Sequence, residues 1–216
     1  MDSKKILYIT GSVLLTFGFL YGAYLMTNKQ EVVYFESLTK LESTDNAKWS
    51  KDKKNLLIKY SDFECPACAT YHNLITSLSE NKDNKDIVDK VTFVYRHFPL
   101  DQIHKNARVA AYASEAASNQ GKFYEFHDKL FDNQAEWSSI ANPLAIFEKY
   151  AKDLNLDIKK FNDESKLDAT KEKVQSDYVS GLNASVDGTP TFYLNGKKIS
   201  FGSVAELEKL LRAELE

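Results

Sequence analysis

From Ile6 to Met26 the chain reads ILYITGSVLLTFGFLYGAYLM, an apolar run without a charge. A helix rising about 1.5 Å per residue over about 21 residues crosses a hydrocarbon core of about 30 Å. The pattern therefore predicts a membrane span over residues 6–26. The run exceeds the apolar region of a cleavable signal and lacks an A-x-A-like site at its end, so it reads as a retained anchor. Lys4 and Lys5 precede it and Lys29 and Lys40 follow, leaving the positive-inside count nearly balanced. A short basic head before an apolar segment resembles an export signal, and the chain beyond it would then face an oxidising, extracytoplasmic space. These features divide the sequence into an anchor with a short cytoplasmic head at 1–28, a polar tether at 29–46 and a globular domain at 47–214.

Within that domain the period of the apolar positions changes from element to element. NLLIKYS, Asn55 to Ser61, fits a buried strand; Tyr71, Leu74, Ile75 and Leu78 then recur at helical spacing behind Pro66, whose fixed φ suits the first turn of a helix. VTFVYRH, Val91 to His97, is a second strand, so strand, helix and strand predict a parallel unit with a right-handed crossover. A helical insertion follows at about 101–184, with apolar stripes at Ala107, Ala110, Ala111 and Ala117, at Phe123, Phe126, Leu130 and Phe131, at Leu144, Phe147, Tyr150, Ala151 and Leu154, and at Leu167, Val174, Tyr178 and Leu182. Asn142 and Pro143 read as cap and first turn of the third of these helices. TFYL, Asn195-Gly196 and KKIS predict a hairpin on a type I′ turn, and Ser203 with Glu206 form a capping box before Val204, Leu207, Leu210 and Leu211. A βαβ half and a ββα half around a helical insertion make an α/β, thioredoxin-like fold.

Composition narrows what such a domain can do. Over 216 residues, 43% hydrophobic and 12% aromatic content is enough for a core, and a net charge of -3 without a basic cluster excludes nucleic-acid binding as the leading reading. The two cysteines, Cys65 and Cys68, lie in SDFECPACATYH. A bridge closing so small a loop removes little unfolded-chain entropy, so stapling is a poor use for them. Cys65 falls at the N-cap of the helix that Pro66 opens, where free N–H groups and the dipole favour a thiolate, while Cys68 lies on the buried face. One activated and one sheltered thiol suit dithiol exchange. A zinc site using His72 as third ligand lacks a second C-x-x-C, and an inert core pair conflicts with the N-cap position; His72 itself reads as a surface or packing residue. No cofactor or metal is expected.

SDFECPAC, RHFPL at 96–100, QGKFYEFHDKLFDNQ at 120–134 and GTPTFYLNGKKI at 188–199 resemble the DsbA-like thiol:disulfide oxidoreductases, in particular membrane-anchored bacterial members. The resemblance covers about residues 47–214. It implies a nucleophilic Cys65, a resolving Cys68 and a cis Pro190, with Thr189 offering backbone groups to an extended substrate chain. Pro66 and Ala67, between the cysteines, are read as redox-tuning positions with Lys59 and Glu64, although Ala67 supplies no extra donor. Related proteins often carry an acidic residue six positions before the first cysteine to move the proton of the buried thiol; this chain has Lys59 there. Lys59 either points at the sulfurs, favouring thiolate, or outward as a solvated strand residue. Glu64, beside Cys65, pulls against the thiolate. The function expected is oxidation of reduced exported proteins, with reoxidation by a membrane-embedded, quinone-linked partner. The alternatives are a reductase or isomerase kept reduced by a membrane partner, and a redox-inactive module that holds unfolded chains near Pro190.

Overall fold

The computed structural model describes residue 11, residues 13–23 and residues 33–215. Residues 13–23 are helical and expose Leu14, Leu15, Phe17 and Phe19. The remainder of the expected 6–26 span, apart from Gly11, lies outside the described residues, as do residues 29–32 of the expected tether. Among the described residues no helix is long and apolar enough to cross a membrane. The region from Tyr34 onward forms one compact unit.

Its centre is a mixed five-stranded sheet: β1 (Asn46–Trp49), β2 (Asn55–Ser61), β3 (Val91–His97), β4 (Thr191–Leu194) and β5 (Lys197–Ile199), ordered β1-β3-β2-β4-β5. β2 runs parallel to β3, with Lys59 opposite Tyr95 and Ser61 opposite His97, and antiparallel to β4. The crossover between β2 and β3 holds α1 (Pro66–Glu80) and the short α2 (Lys85–Lys90). β2 and β3 are nearly continuous buried runs, as strands covered on both faces must be. Asn195 and Gly196 both take positive φ between β4 and β5, the geometry of the expected I′ turn. Helix α9 (Val204–Leu215) follows, with the Glu206 amide donating to Ser203 Oγ at 3.2 Å. The thioredoxin-like half is therefore as the pattern predicted.

The insertion between β3 and β4 comprises α3 (Ala107–Ser118), α4 (Phe123–Asp132), α5 (Gln134–Trp137), α6 (Leu144–Asp153), α7 (Ile158–Glu164) and α8 (Asp168–Asn183). The alanine face of α3 admits α4 closely, and Phe126, Phe147, Tyr150 and Phe161 fill the space behind. Two expectations need correction. Pro143 is the N-cap of α6, with Asn142 accepting from the Leu144 amide. Along α8, Leu167 and Leu182 are 49% and 51% exposed, and the buried face is Thr170, Val174, Asp177 and Gly181. At Gly181 an added Cβ would stand 2.6 Å from the Phe98 ring, so the helix lies there only because the side chain is missing.

The tether is also shorter than its polar composition suggested. Leu38 is buried against the β2 and β3 face, Tyr34 bridges to Lys197, and Asp45 takes a bidentate contact from Arg96 Nε and Nη2 at 2.9 and 2.8 Å. Residues 34–46 are thus part of the folded unit, and β1 covers the edge of β3.

Candidate active site

β2 ends at Ser61, and four residues later the chain turns into α1 with Cys65 at the N-cap and Pro66 at the first helical position. The Cys65 backbone is extended, φ -71 and ψ 122, and its side chain makes no capping hydrogen bond; the sulfur stands at the end of the helix where the free N–H groups and the positive end of the dipole lie. Its thiol is pulled down to about 5, first by the Cys68 thiol and then by Thr189 and the backbone N–H groups of Cys68 and Ala67, against the burial that raises it. Cys68, one turn along, is fully buried. Burial pushes its thiol well above the ordinary value, the Cys65 interaction pushes the same way, and only then does Lys59 oppose them. Pro66 and Ala67 are exposed at the rim.

Lys59 settles between its two expected orientations by pointing inward. It is 1% exposed, its Nζ donates to the Cys68 carbonyl oxygen at 3.2 Å, and the ammonium sits 4.7 Å from the centre of the Phe131 ring. Burial lowers it to about 8; the charges of Cys68 and Cys65 pull it back up while Lys48 pushes it down. Glu64 does not face the sulfurs as a free carboxylate. It accepts from the Asn106 amide at 2.7 Å, and burial raises it above its ordinary value against that bond.

The Thr189–Pro190 peptide is cis. The Thr189 carbonyl oxygen lies 3.4 Å from Cys65 Sγ, so the loop before β4 faces that sulfur. Cys65, Cys68, Lys59, Thr189 and Pro190 are thus gathered at one end of the sheet, where β2, α1 and β4 meet.

Two further groups at this site, Asp62 and Gln134, carried no legible signal. Asp62, its side chain sealed from solvent, accepts from the Glu64 and Leu100 amides and pairs with His104 Nδ1 at 2.8 Å, fixing the loop that presents Cys65. Gln134 of α5 reaches across from the insertion and donates to the carbonyl oxygens of Phe63 and Cys65 at 2.7 and 3.0 Å. It closes the QGKFYEFHDKLFDNQ stretch, and nothing in the apolar stripe of that stretch marks it. His72 is buried, stacked on Phe131 and paired with Asp132 at 3.3 Å. It belongs to a cluster with His127 and Asp128 whose ligand atoms lie within 4.8 Å of one another. Burial drives His127 down to about 3, and the Lys48 charge acts in the same direction. The positive groups beside the cluster oppose a second cation there.

A family model described as Thioredoxin matches residues 50–213. The chain belongs to the thioredoxin family. Among solved structures, this thioredoxin-family chain is similar to BdbD of Bacillus subtilis in its oxidised form, with TM-score 0.71 and 21% identity, covering 86% of this chain and 99% of that one. It is also similar to the thiol-disulfide exchange protein alpha-DsbA2 of Wolbachia pipientis, with TM-score 0.67 and 18% identity over 83% of this chain and 91% of that one. At these identities the likeness is one of fold, and the fold is that of DsbA-like thiol-disulfide oxidoreductases. Among curated relatives, the Na(+)/H(+) antiporter NhaA 1 of Mycobacterium sp. (strain KMS) is 33% identical over 158 residues, which are 71% of this chain and 24% of that protein. The chain spans about a quarter of the length of the curated relatives it matches.

Proposed function

We propose that this thioredoxin-family protein is an extracytoplasmic disulfide oxidase, anchored through residues 6–26, that passes a Cys65–Cys68 disulfide to reduced exported polypeptides and is reoxidised by a membrane-embedded, quinone-linked partner. Thiol-disulfide oxidoreductase chemistry rests on the family and on the Cys-Pro-Ala-Cys pair at a helix N-terminus. The direction rests on one observation, the split between the two thiols: Cys65 is held as a thiolate at about 5 while burial keeps Cys68 protonated. Whatever stabilises the thiolate stabilises the reduced protein and makes its disulfide the stronger oxidant, about 30 mV for each 1.4 kcal/mol. The value lies between about 3.5 for the strongly oxidising DsbA and about 7 for the reducing thioredoxin. Compartment and partner rest on the uncharged N-terminal run and the DsbA-like resemblance.

In the oxidising cycle a client thiolate attacks Cys65 Sγ, the Cys65–Cys68 bond breaks, and Cys68 leaves with the electron pair. Lys59 supplies positive charge behind that leaving group. A second client thiolate then attacks the client sulfur of the mixed disulfide and Cys65 leaves as a stabilised thiolate. The Thr189 carbonyl beside Cys65 gives an extended client backbone an acceptor to dock on. Equilibration of the protein with glutathione buffers tests the direction. A potential near about -120 mV supports the oxidase, and one near about -270 mV assigns a reductase instead.

A further inference from the structure

Cys68 must lose or gain a proton in every cycle, yet it is fully buried and its thiol holds its proton tightly. Lys59 can supply charge, but its hydrogen bond among the described residues returns to the Cys68 carbonyl oxygen and leads nowhere. On the same face of the sheet, three buried polar atoms lack a hydrogen-bond partner among the described residues: Ser61 Oγ, Tyr95 Oη and His97 Nδ1. The register explains why they are neighbours. Ser61 stands opposite His97, and Tyr95, two residues before His97, faces the same way. The Tyr95 ring lies 5.2 Å from that of His97, and Tyr95 shares an apolar cluster with Cys68, whose negative charge is felt at its hydroxyl.

Unsatisfied buried polar groups are rare because each costs free energy, and three of them together match the hydrogen bonds one buried water makes. The row does not end at His97. His97 Nε2 lies 2.8 Å from Glu115 Oε1, and the same oxygen accepts from Asn46 Nδ2 at 2.6 Å. Glu115, Asn46, Ser118 and Lys173 line a pocket that opens at the surface between β1, α3 and α8. Charged Glu115, 7% exposed, is held ionised by His97 against its burial.

We infer that Tyr95, Ser61, His97 and Glu115, joined through bound water, form the proton path that connects the buried Cys68 to solvent on the side of the molecule away from the client. This deepens the redox function proposed above and rests on it. When a client thiolate displaces Cys68, the sulfur carries the electron pair away and receives one proton delivered along the path. When reduced protein is reoxidised, the Cys68 proton leaves by the same atoms as the sulfur attacks the mixed disulfide at Cys65 and expels the other thiolate. No further oxidant or reductant is needed for either step.

A path alters rates and leaves equilibria alone, which separates it from an electrostatic or packing role. The test mixes the reduced full-length protein with oxidised glutathione at rising concentration. The plateau rate reports attack by Cys68 on the Cys65–glutathione disulfide. Tyr95→Phe removes a hydroxyl that bonds to nothing else among the described residues, so the fold and the Cys65 site stay intact, and Ser61→Ala makes a smaller change on the same line should the first fail to fold. The expected result is a plateau slowed about 10²-fold, at the lower end of what proton-transfer assistance contributes. The equilibrium constant with glutathione and the rate of Cys65 alkylation stay at wild-type values. An unchanged plateau in either folded variant overturns the path while leaving the redox function standing, as does a fall matched by an equal change in the equilibrium constant. A wild-type chain that exchanges nothing with glutathione overturns both.

Discussion

The mouth and the floor of the site handle the same element, sulfur, in opposite ways. At the mouth, Cys65 meets the amides of a helix N-terminus and the Thr189 loop, and its thiol is drawn down to about 5. One helical turn deeper, Cys68 meets aromatic rings, a buried lysine and no solvent, and its thiol is pushed up. Sequence separation of three residues thus carries the sulfur from a polar, amide-lined surface into a low-dielectric interior, and the helix geometry alone imposes the change. Reactivity here is a property of position along α1 rather than of the cysteine.

The largest expected effect comes from breaking each half of that contrast separately. Cys65→Ser should abolish exchange, whereas Cys68→Ser should leave attack intact and strand clients on Cys65 as mixed disulfides visible by mass spectrometry. Trapped adducts on Cys68 in the first variant would reverse the assignment. Next comes the charge at the floor. Lys59→Met should lower the reduction potential by about 30 mV, the equivalent of about 1.4 kcal/mol less support for the thiolate, and Lys59→Glu should go further in the same direction. A potential that stays put or rises would show that the ammonium acts only on the Cys68 carbonyl oxygen.

Smaller in size, but specific to the mouth, is a pH effect on the reduced protein relative to the oxidised one. Cys65 ionises at about 5 when folded and at about 8.5 in an unfolded chain. Between those values the folded state binds fewer protons, so stability rises with pH across the window and is lost as pH falls through about 5. Thermal melts of both redox forms should therefore show the reduced form gaining on the oxidised one from pH 5 to 8. A constant gap would mean the Cys65 thiolate is not favoured by folding. The least expected change follows Gln134→Ala, which removes two hydrogen bonds to the Cys65 loop and should cost about 1–2 kcal/mol of stability in a denaturant titration, leaving the identity of the attacking sulfur unchanged.

What was legible in the sequence and what was not divides along physical lines. Cys65, Pro66 and the apolar spacing of α1 carry their own local geometry, so the N-cap thiol is legible from the residues around it, as is the Asn195-Gly196 hairpin. Lys59 could not be oriented, because its direction is set by the register of β2 between β3 and β4 rather than by its neighbours in the chain. Asp62, Tyr95 and Gln134 act through contacts spanning tens of residues, which no local pattern encodes. Strand β1 was hidden because NAKW is short and polar, as edge strands are. The buried face of α8 escaped notice because it is built from Thr170, Asp177 and Gly181, which no hydrophobic stripe marks.

The pairing of β1 with β3 has a consequence for where this domain can be cut. The family match begins at residue 50, beyond both β1 and Asp45. A fragment started there would leave Val91–His97, a run rich in β-branched and aromatic residues, with one flank of its backbone amides and carbonyls open to any passing strand. Arg96 would lose the carboxylate that neutralises it in the interior. The short polar segment ahead of the recognised domain is the guard that keeps the edge of β3 from pairing with other chains.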